Sequence, residues 1–159
     1  MTQNVEVAGM PFEEKMSWVS MVVTVVVAGL YFATAMEQVG EVPVADIAYQ
    51  PWMLLAIGAA IVLMIVGAIV MAIGTAVSAE VTGNGSADDI DRTDERDASI
   101  GSRGNVFAFY VTSAGALGAL ALAMLEYEYF WIANALYLTF VVAALVSDGV
   151  KIHAYRWGM

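Results

Sequence analysis

Four long runs of apolar residues carry no charge, and they limit what the chain can fold into. A helix needs about 20 apolar residues to cross the hydrocarbon core of a bilayer. A soluble core does not require uninterrupted runs of this length, and 60% hydrophobic residues exceed the usual share of a soluble domain. The sequence therefore predicts an all-α membrane protein, a four-transmembrane-helix antiparallel bundle forming one domain over residues 1–159. The predicted helices cover about residues 18–36, 52–79, 105–125 and 130–147.

The basic residues predict how the chain is threaded. Lysine and arginine in short loops favour the cytoplasmic side of a membrane. The two loops at Glu37–Pro51 and Glu126–Tyr129 contain neither residue. The other segments hold all six basic residues of the chain: Lys15, Arg92, Arg96, Arg103, Lys151 and Arg156. We therefore expect both termini to be cytoplasmic, in a prokaryotic inner membrane. Ala33 to Ala35 (ATA) resembles a signal peptidase site, but three glutamates precede the run, which favours a retained helix.

The longest polar segment is the predicted cytoplasmic connector, residues 80–104. An EF-hand starting at Asp89 fails, because Asp94 occupies the glycine position and Ile100 the bidentate glutamate position. A charged run of this kind is usually a solvated helix face, and its main alternative is a docking surface for a protein partner. The candidate interaction surface comprises Asp88, Asp91, Arg92, Asp94, Glu95, Arg96 and Asp97.

The residue types that most catalytic and cofactor sites need are scarce. The chain has no cysteine and one histidine, His153, which excludes thiolate sites and sites built from several histidines within one chain. Asp148 ends the predicted fourth helix and is spaced to pair with Lys151. The net charge of −10 argues against nucleic-acid binding. We therefore expect no catalytic residues, metal or cofactor.

Small and mildly polar residues inside the predicted spans are candidates for helix packing. Gly115 and Gly118 on the third helix allow close backbone approach, and Asn134 on the fourth can form an interhelical hydrogen bond. Packing within one chain is favoured, and a homo-oligomer face is the alternative.

Several short motifs together carry a resemblance. They are Phe12 to Lys15 (FEEK) with Trp18, Asp94 to Asp97 (DERD), Phe130 to Ala135 (FWIANA) and Tyr155 to Gly158 (YRWG). From Phe12 to Gly158 the chain resembles a group of small four-helix bacterial and archaeal membrane proteins of unknown function. The resemblance implies the same topology, and it supplies no catalytic or binding residues.

Three functional classes follow from the sequence. The preferred one is a noncatalytic accessory, scaffold or regulatory subunit that contacts membrane lipids and a partner at its cytoplasmic face. The second is an oligomeric channel or transporter whose polar path is lined by Thr112, Ser113, Asn134 and Thr139. The third is an enzyme acting on lipid or quinone through Asp148, His153 and nearby arginines. This class is the weakest, because the sequence contains no nucleophile at a recognisable spacing from a general base.

Overall fold

Four long α-helices form most of the computed structural model, which describes residues 10–82 and 95–158. The described residues contain no β-strand, and a single 3-10 turn, Val44–Asp46, lies between the first two helices. All four helices are long and apolar enough to cross a membrane, which confirms the prediction of four such segments. They are α1 Phe12–Glu37, α2 Gln50–Thr82, α3 Glu95–Met124 and α4 Tyr129–Trp157.

Three helices extend well beyond their predicted bounds, and α1 begins at Phe12 rather than near Trp18. α3 begins at Glu95 rather than near Asn105, and α4 continues to Trp157 rather than stopping near Ser147. Residues 95–104 of the predicted connector are therefore helical and form the first turns of α3. Hydropathy marks where side chains become polar, whereas a helix propagates until a residue such as proline interrupts it. Residues 95–157 contain no proline, and α4 ends where Gly158 adopts a φ of 80°.

The helices pack in the order α2, α1, α4, α3. α1 and α4 contact each other, α2 packs on the far side of α1, and α3 packs on the far side of α4. In the described part of the chain, α2 forms no comparable interface with α3 or α4. The bundle is therefore an open row of helices with α1 and α4 at its centre.

Helical spacing explains why α1 and α4 are central. At 3.6 residues per turn, the buried residues of α1 all fall on one face of the helix. Those of α4 are distributed more widely, as expected for a helix that contacts both α1 and α3. The buried residues of α1 are Glu14, Ser17, Val27, Ala28, Tyr31 and Ala35. Those of α4 are Phe130, Asn134, Ala143, Ser147, Asp148, Ile152 and Ala154.

The outer helices leave most of their apolar surface uncovered. In the most apolar window of α2 and of α3, 6% of residues are buried, against 22% in α1 and α4. Leu54 and Leu55 of α2 are 69% and 61% exposed. Soluble monomers rarely expose continuous apolar surface on this scale, whereas lipid solvates it well. This surface is that of an integral membrane protein.

The two ends of the row differ in chemistry. At one end, which we call the aromatic end, the end of α1 meets the starts of α2 and α4. There the rings of Tyr31 and Tyr137 lie 5.0 Å apart, those of Tyr49 and Phe130 lie 5.3 Å apart, and Ile47 is 2% exposed. At the other end, which we call the polar end, the start of α1 meets the start of α3 and the end of α4. The polar end holds the candidate site.

Candidate functional site

An ion pair joins the start of α1 to the end of α4 at the polar end. Arg156 Nε donates to Glu14 Oε1 at 3.1 Å. The Glu14 side chain is 8% exposed and that of Arg156 is 45% exposed, so the carboxylate is the desolvated partner. The Arg156 guanidinium also lies 5.3 Å from the centre of the Trp18 ring, within cation–π distance. We call Glu14, Trp18 and Arg156 the clasp.

The clasp gives a direct stability prediction. We expect Arg156→Met to lower the free energy of unfolding by about 1 to 2 kcal/mol, because it leaves the buried Glu14 carboxylate without its cation. Unfolding in detergent micelles, followed by helical circular dichroism, measures this change. Arg103→Met is the matched control, since Arg103 is an exposed basic residue at the same end. An equal loss in both variants would contradict the clasp.

A second polar contact joins α3 to α4. The Tyr155 hydroxyl donates to Asp97 Oδ1 at 2.9 Å. Asp97 and Glu95 lie in the first turn of α3, where unpaired backbone N–H groups favour negative charge. The start of α3 is therefore tied to the same segment of α4 that carries Arg156.

The structure describes only part of the predicted interaction surface. Asp88, Asp91, Arg92 and Asp94 lie outside the described residues. Glu95 and Arg96 are exposed on the first turn of α3, and Asp97 is half-buried against Tyr155. The described part of the surface is therefore helical, with exposed charges at Glu95 and Arg96 and the Asp97 carboxylate bonded to Tyr155 of α4.

An open cleft of about 670 Å³ lies beside this surface, between the start of α1 and the first half of α3. Carboxylates, a hydroxyl, an amide and aromatic rings all border it. Such a lining can hold groups that donate hydrogen bonds or carry positive charge. The residues that define its character are Glu13, Asp97, Ser102, Asn105, Phe109 and Tyr110.

Gly104 brings α3 and α4 together one layer further in. A Cβ at Gly104 would stand 2.8 Å from Lys151 Cε and 2.9 Å from Ser147 Oγ. A side chain at this position would force the Lys151 or Ser147 side chain to move. The Lys151 stem therefore lies across Gly104.

Asp148 is buried where α4 contacts α1. It is 5% exposed, and Ser20 of α1 lies within hydrogen-bonding reach of its carboxyl group. Its Oδ2 atom is buried and has no hydrogen-bond partner among the residues that the structure describes. The predicted ion pair with Lys151 does not form, because the lysine stem lies against α3 instead.

The predicted helix-packing residues behave differently from one another. Gly115 lies directly against Thr139, and any Cβ there would overlap the threonine side chain. A Cβ at Gly118 would meet nothing within 4 Å. Gly118 therefore does not seat α3 on α4. Asn134 is 5% exposed, accepts a 2.8 Å hydrogen bond from the Tyr31 hydroxyl and donates to the Phe130 carbonyl oxygen at 2.8 Å.

His153 is exposed, and its ring lies 5.1 Å from that of Trp157. Within residues 10–82 and 95–158, no three histidine, aspartate or glutamate side chains come together in a group that could hold a metal ion.

The sequence interpretation missed Glu14, Ser20 and Gly104. A usable signal was present in α1, where Glu14, Ser17 and Ser20 recur at three-residue spacing on the face that also bears Tyr31. Spans defined by hydropathy started after the first two of these residues. Gly104 had no such signal, because a glycine at the edge of a polar segment predicts a turn as readily as a close contact.

Comparison with known proteins gives no match: no family model, no curated protein and no solved structure is similar to the chain. The resemblance to small four-helix bacterial and archaeal membrane proteins therefore stays a prediction.

Proposed function

We propose that the chain is a noncatalytic accessory, scaffold or regulatory subunit of a prokaryotic inner membrane, and that it holds its partner at the polar end. One observation carries this proposal. The first turns of α3 and the last turns of α4 extend beyond the predicted spans. The clasp joins α4 to α1, and the Tyr155–Asp97 hydrogen bond joins α3 to α4, so these turns form a continuous polar surface beside the 670 Å³ cleft. The aromatic end offers less polar surface to a partner, since the turn joining α3 to α4 spans only Leu125–Glu128.

The lining of the cleft suggests what the partner presents. Glu13 and Asp97 border the cleft with carboxylates, so a partner segment with lysine or arginine side chains complements it. Rim charges of this kind mainly govern the association rate and its salt dependence. We therefore expect the complex to dissociate more readily as ionic strength rises.

Crosslinking from the cleft tests the partner proposal. We expect a photoreactive amino acid at Ser102 to form a discrete adduct in native membranes, and the double variant Glu13→Gln/Asp97→Asn, which neutralises both carboxylates that border the cleft, to reduce its yield at least threefold. Glu37→Gln/Glu41→Gln makes the same charge change at the aromatic end and should leave the yield unchanged. An adduct that is insensitive to the first pair, or no adduct at all, would count against the polar end as the partner surface.

We also propose that the polar end and both termini face the cytoplasm. The contacts support an up-and-down threading, because α1 meets α4 through Glu14 with Arg156 near one end and through Tyr31 with Asn134 near the other. The distribution of lysine and arginine supports the orientation.

Cysteine labelling tests the orientation, since the chain contains no cysteine of its own. We expect Ala45→Cys, in the 3-10 turn, to react with a membrane-impermeant maleimide in intact cells. Gly158→Cys should react only after the membrane is permeabilised. The reverse pattern would invert the threading and move the polar end outside.

The alternative of an oligomeric channel or transporter receives less support from the packing. Asn134 and Thr139 were expected to line its polar path. Instead, Asn134 is bonded to Tyr31, and the Thr139 hydroxyl donates to the Ala135 carbonyl oxygen at 2.7 Å beside Gly115.

A further inference from the structure

Asp148 is a buried carboxyl group that the proposed scaffold role does not use. It is 5% exposed, and its Oδ2 atom has no partner among the described residues. Burying an ionised carboxylate without compensating contacts costs several kcal/mol, so such a group is retained when it is neutral or when it binds something. We propose that Asp148 is a proton-binding site enclosed between α1 and α4.

The groups around Asp148 are few. α1 presents the Ser20 hydroxyl, and α3 presents Gly104, which has no side chain, at the level of Ser147 and Lys151. The charged group acting on Asp148 is Lys151, on its own helix. Glu14, the buried acid on α1, is occupied by Arg156. No element packed here therefore supplies a fixed positive charge in contact with the carboxyl group.

This environment fits a proton better than a metal ion. Calcium takes six to eight oxygen ligands and magnesium about six, whereas the described residues bring no three acidic or histidine side chains together. A proton needs one oxygen, and binding converts the carboxylate to a carboxylic acid with no other reactant. The unpartnered Oδ2 atom is the oxygen that takes it.

Lys151 couples the protonation of Asp148 to the contact between α3 and α4. It lies three residues after Asp148, a spacing that allows its ammonium group to reach the carboxyl group. In this structure its stem lies across Gly104 instead. When Asp148 loses its proton, the carboxylate attracts Lys151 away from Gly104, so the proton on Asp148 controls how α3 sits against α4.

Infrared spectroscopy of the whole protein in lipid vesicles tests the site. We expect the difference spectrum of wild type minus Asp148→Asn to contain the carbonyl stretch of a protonated carboxylic acid, which disappears as the pH rises. Lys151→Met keeps most of the stem and removes the charge, so it should move the midpoint of this loss upward by about one pH unit. Glu14→Gln is the control and should leave the band in place.

Chemical labelling provides a readout that needs no variant. The hydrophobic reagent dicyclohexylcarbodiimide reacts with protonated carboxyl groups in apolar surroundings, and peptide mass spectrometry locates the adduct. We expect modification of Asp148 in the wild-type protein to fall at least tenfold between about pH 5 and about pH 9. Absence of both the acid band and the Asp148 adduct throughout this range would overturn the proposal, as would a band that survives Asp148→Asn.

Discussion

Gly115→Val is expected to separate α3 from α4. Gly115 lies directly against Thr139, so the new side chain would occupy space that the threonine already fills. Overpacking a well-packed contact costs about 1 to 3 kcal/mol, and we expect a loss of about 3 kcal/mol because two methyl groups are added as well as the Cβ. Unfolding in detergent micelles, followed by circular dichroism, measures the loss.

Gly118→Val is the matched control for this substitution. Both positions lie in the apolar half of α3, and the exchange of side chains is identical, but a Cβ at Gly118 meets open space. We expect the control to change stability by no more than about 0.5 kcal/mol. Equal losses at the two positions would show that the helix itself, rather than its contact with α4, is sensitive to the substitution.

A substitution at Thr139, on the other side of this contact, tests whether steric overlap causes the loss of stability. Thr139→Ala removes the Oγ1 and Cγ2 atoms that a Cβ at Gly115 would meet. If overlap is the cause, Gly115→Ala should cost less in the Thr139→Ala background than in the wild type, by about 1 kcal/mol. Additive losses would mean that Gly115 acts through some other contact.

The sequence predicted the helices better than the way they pack. Uninterrupted apolar runs are sufficient to predict four helices. A charge inside a membrane span is costly, so a long run without charged residues identifies a span. The same signal could not place Glu95 or Trp157, since polar residues and apolar residues continue a helix equally well. It also could not predict the open row, because lipid-facing and protein-facing residues in a span are both apolar.

Some of the polar contacts could be predicted from the sequence, and others could not. Asn134 stood out because an amide in an apolar run is conspicuous, and the structure shows it bonded to Tyr31. The sequence places Asp148 at the end of the fourth span because the spans are delimited by charged residues. Its burial depends on α1 covering it with Ser20, which is a tertiary contact that no local pattern encodes. Gly118 meets no neighbouring helix among the described residues, and glycine composition alone does not reveal which face of a helix meets a neighbour.

Asn134→Leu is expected to destabilise the aromatic end. The substitution removes the acceptor of the Tyr31 hydroxyl and leaves that hydroxyl buried, with Tyr31 only 3% exposed. An unpaired buried polar group costs about 1 to 3 kcal/mol, and interhelical hydrogen bonds in membranes lie toward the lower end, so we expect about 2 kcal/mol. Unfolding in micelles, monitored by circular dichroism, measures the change.

The double variant Tyr31→Phe/Asn134→Leu decides whether the hydrogen bond or the shape of Asn134 is responsible. Replacing both partners by apolar groups of similar size removes the unpaired hydroxyl, which is often nearly neutral. We therefore expect the double variant to be more stable than Asn134→Leu alone by about 1 kcal/mol, even though it carries one more substitution. The rings of Phe32 and Tyr137 still surround position 31, so the packing of the cluster is retained. The double variant could instead be less stable than both the wild type and Asn134→Leu. The Tyr31 hydroxyl would then have a further role, and the contact between α1 and α4 at this end would not depend on its hydrogen bond to Asn134.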